Sequence, residues 1–185
     1  MRTFFCYELP SQVRQEMRES LGRVSSPARV KWVNTENIHI TVKFLGEINE
    51  DQLQEIKEAI EEPLKRHSPF TIEINHLGGF PRLSYPKVIW LGSDDPPEEI
   101  HGIHRDLEET LEELGFERED RDYVPHVTLG RTKEKDSSKV KTLGNELKNE
   151  KLDRKWQVEI SHLTLMQSRL RSSGPIYDPL FKAPL

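Results

Sequence analysis

The chain of 185 residues is 34% hydrophobic and 32% charged, which suits one globular unit with a heavily charged surface and holds no apolar run of membrane-spanning length. Its 27 Lys and Arg against 32 Asp and Glu give a net charge of -5, so overall charge does not mark a nucleic-acid binder and any such contact must come from a local basic patch. Cys6 is the single cysteine, which excludes an intramolecular disulfide and a cysteine-rich zinc site.

Thr3 to Glu8 reads as a first strand, in which Cys6 is expected to act as a small buried hydrophobe. Pro10-Ser11 opens a helix with Val13, Met17 and Leu21 on one face. Val30 to Val33 and Ile38 to Leu45 read as strands joined by the polar segment Asn34-Thr35-Glu36-Asn37. Asn49 with Gln52 spells a capping box, and the helix after it carries Leu53, Ile56 and Ile60.

Phe70 to Ile74 alternates as a strand. Gly78-Gly79-Phe80-Pro81 reads as a turn, and Lys87 to Leu91 as the strand beyond it. Pro96-Pro97 starts a helix with Ile100, Ile103, Leu107, Leu111 and Leu114 on one face and Gly115 as its stop. A strand over Val124 to Arg131, a lysine-rich helix near Ser138 to Lys148, and one long strand from Trp156 to Met166 complete the pattern, before an irregular tail rich in Arg, Gly and Pro. No β-α-β-α rhythm is sustained, which argues for an α+β fold with mainly antiparallel sheets. The expectation is a single two-lobed domain over 1–185, with sheets lining a central cleft and helices packed outside. No secretory leader pattern follows Met1-Arg2, so the chain is expected to be soluble and cytoplasmic.

The chemistry-bearing pattern is a repeat. His39-Ile40-Thr41-Val42 and His126-Val127-Thr128-Leu129 each set a histidine and a threonine two apart on a strand, hence on one face. Chance predicts about a third of one His-x-Thr match in this composition, yet three occur, because His162-Leu163-Thr164 also fits. His162 alternates with Trp156, Val158 and Ile160 inside a long strand, so it reads as a buried structural histidine. His126 is followed at an odd offset by Arg131. That arginine reaches the face of His126 only through a twist, a bulge or the strand end.

Asn37-Ile38-His39-Ile40-Thr41-Val42-Lys43-Phe44-Leu45-Gly46-Glu47 and Pro125-His126-Val127-Thr128-Leu129-Gly130-Arg131 resemble the paired signatures of the 2H phosphoesterase superfamily. Within it the chain is similar to the RNA 2′,3′-cyclic phosphodiesterases, also called 2′-5′ RNA ligases. Arg2-Thr3-Phe4-Phe5, Gly78-Gly79-Phe80-Pro81 before Val88-Ile89-Trp90-Leu91-Gly92, and Leu165-Met166-Gln167-Ser168-Arg169-Leu170 before Gly174-Pro175-Ile176-Tyr177 extend the likeness over nearly the whole chain. Val124 departs from the basic or polar residue that often precedes the Pro-His.

The resemblance implies hydrolysis of a terminal RNA 2′,3′-cyclic phosphate to a 2′-phosphate. His39 is the implied general acid toward the 3′ oxygen and His126 the implied base toward water. Thr41, Thr128 and Arg131 are expected to bind the phosphate, with no metal or other cofactor. The expected partner is RNA with cyclic phosphate ends, tRNA fragments included, with no membrane and no obligatory protein partner.

Phe4, Phe5, Phe44, Phe80 and Tyr123 are candidates to stack on a base, with strand core as the commoner role for aromatics. Lys43, Arg82, Lys133, Arg169 and Arg171 are candidates for a basic rim. Alternatives are 2′-5′ ligation of tRNA halves, a non-catalytic RNA-end-binding module, and a metal site at His101 and His104. The acidic helix around those two histidines favours a solvated face instead.

Overall fold

A computed structural model describes residues 1–172 and 174–185. Its first strand, β1 (Arg2–Glu8), has five consecutive buried residues, as a strand covered on both faces requires. Helix α1 (Ser11–Glu19) follows. Next come β2 (Val30–Trp32), a 3₁₀ turn (Thr35–Asn37), β3 (His39–Glu47) and α2 (Glu50–Leu64). The capping box of α2 forms, with Gln52 N donating to Asn49 Oδ1 at 2.8 Å and Asn49 N donating to Gln52 Oε1 at 3.1 Å.

Strands β4 (Phe70–Ile74), β5 (His76–Phe80) and β6 (Val88–Gly92) lead to α3 (Glu98–Glu113). Then follow β7 (His126–Thr132), α4 (Ser137–Asn149), β8 (Trp156–Ile160), β9 (His162–Arg171) and β10 (Gly174–Pro184). The main sheet runs β10-β9-β1-β3-β7-β6-β5, with β2 also on β7, while β4 and β8 form a second, two-stranded sheet. Every pairing is antiparallel, in an α+β architecture.

The two faces of the main sheet differ. Phe5, Tyr7, Ile40, Val42, Val127, Leu129 and Ile89 point into one large core shared with Ile56 and Ile60 of α2 and Ile100, Ile103 and Leu107 of α3. Each such side chain, fully buried, contributes about 1.5–3 kcal/mol. On the opposite face Phe4, Cys6 and Met166 form only a small cluster with Tyr177, leaving room for a cleft. Burial pushes the Cys6 thiol up, so it stays protonated.

The sheet is narrowest in its middle. β3 and β7 share one residue pair, Ile40 with Val127, whereas β9 and β10 pair along nearly their whole lengths. Half of the sheet (β10-β9-β1-β3) thus meets the other half (β7-β6-β5, with β2) at a single rung.

Three local expectations are corrected. Gly78 and Gly79 lie inside β5 rather than in a turn. A Cβ on Gly78 would sit 2.2 Å from the Trp90 ring of its partner strand, so glycine is there to let an indole lie flat. The long strand Trp156 to Met166 breaks at Ser161, and its two parts join different sheets, β8 with β4 and β9 with β1. The irregular tail after Met166 is the second half of β9 followed by β10, an edge strand. Pro175, Pro179 and Pro184 are tolerated because an edge strand need donate on one side only.

Candidate active site

Each His-Thr strand holds the same local construction. In β3, His39 and Thr41 face the cleft and Ile40 and Val42 the core; in β7, His126 and Thr128 do so against Val127 and Leu129. Both strands then carry an extra residue relative to a neighbour. The β1 partners step from Thr41 to Lys43, skipping Val42, and the β6 partners step from Thr128 to Gly130, skipping Leu129. Such a bulge shifts the alternation by one residue. Arg131 and Phe44, each five residues past its histidine, are returned to the cleft and line it together with His39, Thr41 and Thr128.

Backbone carbonyls orient both imidazoles. Nδ1 of His39 lies 2.8 Å from Asn37 O, and Nδ1 of His126 lies 2.7 Å from Val124 O. A carbonyl only accepts, so each neutral ring carries its proton on Nδ1 and presents an Nε2 lone pair. Nε2 of His39 accepts from Thr41 Oγ1 at 2.9 Å.

Aromatic walls hold the rings. Phe4 and Tyr177 pack on His39 with centroids at 5.0 and 5.4 Å, and Phe80 and Trp90 pack on His126 at 5.0 and 5.8 Å. Burial pulls the His39 imidazole down to about 4, and the nearby His126 adds to the fall. His126 is lowered for the same first reason, with the positive charge of Arg131 contributing. His126 is not among the residues that line this cleft; it stands beside it, two residues before Thr128 on the same strand face.

Behind β3 lies a buried ion pair. Lys43 is 2% exposed, its Nζ 2.8 Å from Glu108 of α3, and it also donates to Glu117 O. The hydroxyl of Tyr123 donates to Thr41 O at 3.0 Å, and His104 stacks flat on the Tyr123 ring at 4.2 Å. These contacts tie the connection between α3 and β7 to the strand of His39.

The other sequence candidates separate by position. Among the aromatics, Phe4, Phe44 and Phe80 face the cleft or its histidines, Phe5 is core, and Tyr123 serves the backbone of β3. Of the basic residues, Lys133 lines the cleft, Lys43 is buried against Glu108, and Arg169 pairs with Asp178. Arg82 and Arg171 are exposed and do not line it. His162 is exposed at the start of β9, where its Nδ1 lies 2.8 Å from Ser161 Oγ, rather than buried, because the strand it was placed in breaks beside it. Among the described residues no group of three or more His, Cys, Asp or Glu side chains is placed to hold a metal ion. Among the described residues no helix is long and apolar enough to cross a membrane.

Lys31 and Tyr177 line the cleft without having been singled out, and Trp90 packs on His126. Their signal is weak because each reaches the site through pairing between distant segments.

The model of the 2′-5′ RNA ligase superfamily matches residues 10–171. The RNA 2′,3′-cyclic phosphodiesterase of Methanothermobacter thermautotrophicus is 35% identical over 182 residues, covering 97% of this chain and 96% of that protein. The protein of the same name from Methanocaldococcus jannaschii is 34% identical, with 96% and 97% covered. The crystal structure of Escherichia coli LigT complexed with 3′-AMP shares the fold, with a TM-score of 0.82 at 23% identity, covering 100% of this chain and 97% of that one.

Proposed function

The chain belongs to the 2′-5′ RNA ligase superfamily, and from that premise we propose that it hydrolyses RNA 2′,3′-cyclic phosphates to 2′-phosphates by metal-independent catalysis at His39 and His126. The observation that carries this reading is the presentation of two imidazole Nε2 atoms from neighbouring strands on one sheet face, with two threonines and an arginine beside them.

In the proposed reaction, Nε2 of His126 takes a proton from water as its oxygen attacks phosphorus. The bond from phosphorus to the 3′ oxygen breaks, and His39 gives that oxygen a proton. The product keeps the phosphate on the 2′ oxygen, and the pair ends with His126 protonated and His39 neutral. Proton exchange with solvent resets them. Thr41, Thr128 and Arg131 donate to the non-bridging oxygens, where negative charge accumulates.

Burial disfavours the proton that His39 must carry. A phosphodiester anion between the rings reverses that bias, because an opposite charge a few ångströms away favours imidazolium. Substrate binding thus arms the acid. The proposed substrates are RNA 3′ ends in the cytoplasm, tRNA fragments among them. The whole chain acts as one two-lobed domain without a protein partner.

The test is an RNA oligomer ending in a 2′,3′-cyclic phosphate, incubated with chelator present, followed by mapping of the product. A 2′-phosphate supports the reading. A 2′-5′ junction formed from tRNA halves without hydrolysis, binding without turnover, or activity lost to chelator overturns it.

A further inference from the structure

Beyond the cleft, β2 continues along the edge of β7 on which β3 sits, and the two strands carry cations opposite one another. Lys31 pairs in register with Arg131. One rung further out, Lys133 N donates to Arg29 O at 2.8 Å, which sets Arg29 against Lys133. Directly opposed residues of an antiparallel pair share a face. Four positive side chains therefore stand together on the face that holds His126 and Thr128.

Like charges directly opposed on a sheet destabilise it. One internal acceptor is present: Nη2 of Arg29 donates to Lys133 O at 3.3 Å. Among the described residues, none of the four makes an ion pair, although they stand directly opposed on neighbouring rungs. Glu134, next in sequence, accepts from the backbone N–H groups of Lys135, Asp136 and Arg29 and makes no ion pair with the four side chains. In a chain with net charge -5, acids are plentiful, so four adjacent cations left without one mark a place for an external anion.

The shape of the ladder fits a chain of anions. Lys31, Arg131 and Lys133 line the cleft, and Arg29 lies exposed beyond it. Successive rungs on one face are about 7 Å apart, a spacing that suits consecutive phosphates of an extended strand. A cyclic phosphate terminates RNA at its 3′ end, so the remaining nucleotides must leave the cleft in the 5′ direction.

We propose that Arg29, Lys31 and Lys133 form a binding track for the phosphodiester backbone of single-stranded RNA immediately 5′ to the terminal nucleotide. This rests on the cyclic phosphodiesterase reading and adds to it a binding subsite for the nucleotides 5′ to the reacting one.

The test compares the parent with the triple variant R29Q/K31Q/K133Q on two substrates, an RNA tetramer ending in a 2′,3′-cyclic phosphate and cytidine 2′,3′-cyclic monophosphate. The ratio of kcat/KM for the tetramer to that for the mononucleotide is expected to fall at least tenfold, chiefly through KM. The slope of log(kcat/KM) for the tetramer against log salt is expected to flatten by about 2, as three lost phosphate contacts on a single strand require. The melting temperature at low salt is expected to stay level or rise, since repulsion has been removed. An unchanged ratio and salt slope overturn the track.

Binding of a 3′-phosphorylated RNA tetramer, read by fluorescence anisotropy, separates the two claims. If neither cyclic substrate is hydrolysed by the parent, the phosphodiesterase reading fails. The track then still stands if the triple variant loses salt-sensitive tetramer binding, and falls if it does not.

Discussion

Strands β3 and β7 are two executions of one plan, and they part company at a few side chains. Both place a histidine by a carbonyl two residues upstream, both set a threonine two residues on, and both insert a bulge after it. At the fourth residue after the histidine β3 has Lys43, buried with Glu108, where β7 has Gly130, packed under Trp32 and Val30. At the fifth, β3 has Phe44, 57% exposed, where β7 has Arg131. His39 is also the more strongly depressed imidazole. A shared backbone device thus turns two similar groups to one sheet face, and the side chains around them leave one flank charged and the other apolar.

The largest expected effect erases the comparison. His39→Ala and His126→Ala should each lower kcat on the cyclic-phosphate oligomer by about 10²–10⁴, with circular dichroism unchanged. The double variant should cost little more than the worse single one, because the two groups act as a unit. Near-parent rates in both single variants would end the two-histidine account.

Next comes Lys43, which distinguishes the strands in stability rather than rate. Lys43→Met takes the nearest cation from buried Glu108, leaving its carboxylate only Glu119 N at 3.3 Å and His104 Nε2 at 3.5 Å, so urea titration should show a loss of about 3 kcal/mol. Adding Glu108→Leu should recover much of it. A Lys43→Met variant as stable as the parent would show that the pair holds nothing together.

At the fifth position the asymmetry should be visible in kinetics. Arg131→Ala is expected to lower kcat about a hundredfold, and Arg131→Lys should rescue it only partly, because an ammonium lacks the guanidinium fork. Phe44→Ala should change KM by less than about tenfold and leave kcat near parent, as loss of a stacking surface would. Equal kcat losses at both sites would erase the proposed division of labour.

The smallest effect is a displacement on the pH axis. Both histidines lie below their ordinary value, so the singly protonated pair is most populated below pH 6.5 in the free protein. The bell of kcat/KM should therefore centre below 6.5. In kcat the alkaline limb should move upward, since bound phosphate raises the acid. A kcat/KM optimum above pH 7 contradicts the depressed pair.

Much of this was legible in local sequence because period, capping and alternation are local properties. Asn49 and Gln52 announced their capping box, the apolar residues of α3 marked its buried face, and the missing β-α-β rhythm indicated antiparallel sheets. The two His-Thr pairs shared a strand face by simple alternation, and the odd offset of Arg131 left a twist, a bulge or the strand end open, of which the structure has the bulge. What escaped was non-local. No neighbouring residue reveals that Lys43 has a carboxylate 65 positions away, or that Lys31 will stand opposite Arg131. Gly78 reads as a turn until Trp90 is known to lie over it, and prolines read as irregular until β10 is known to be an edge.

The place of β1 in the sheet has a consequence for the order in which the molecule can assemble. It is made first, yet it lies between β3 and β9, and Glu8 accepts a hydrogen bond from Thr164, 156 residues later. Tyr177, which walls His39, belongs to β10 beyond that. During synthesis the His39 side of the cleft must therefore wait, open on one flank, until β9 and β10 have left the ribosome. Pairings across such long separations form slowly. Both His-Thr strands are complete by Thr132, but the chamber they serve closes only as β10 is laid down.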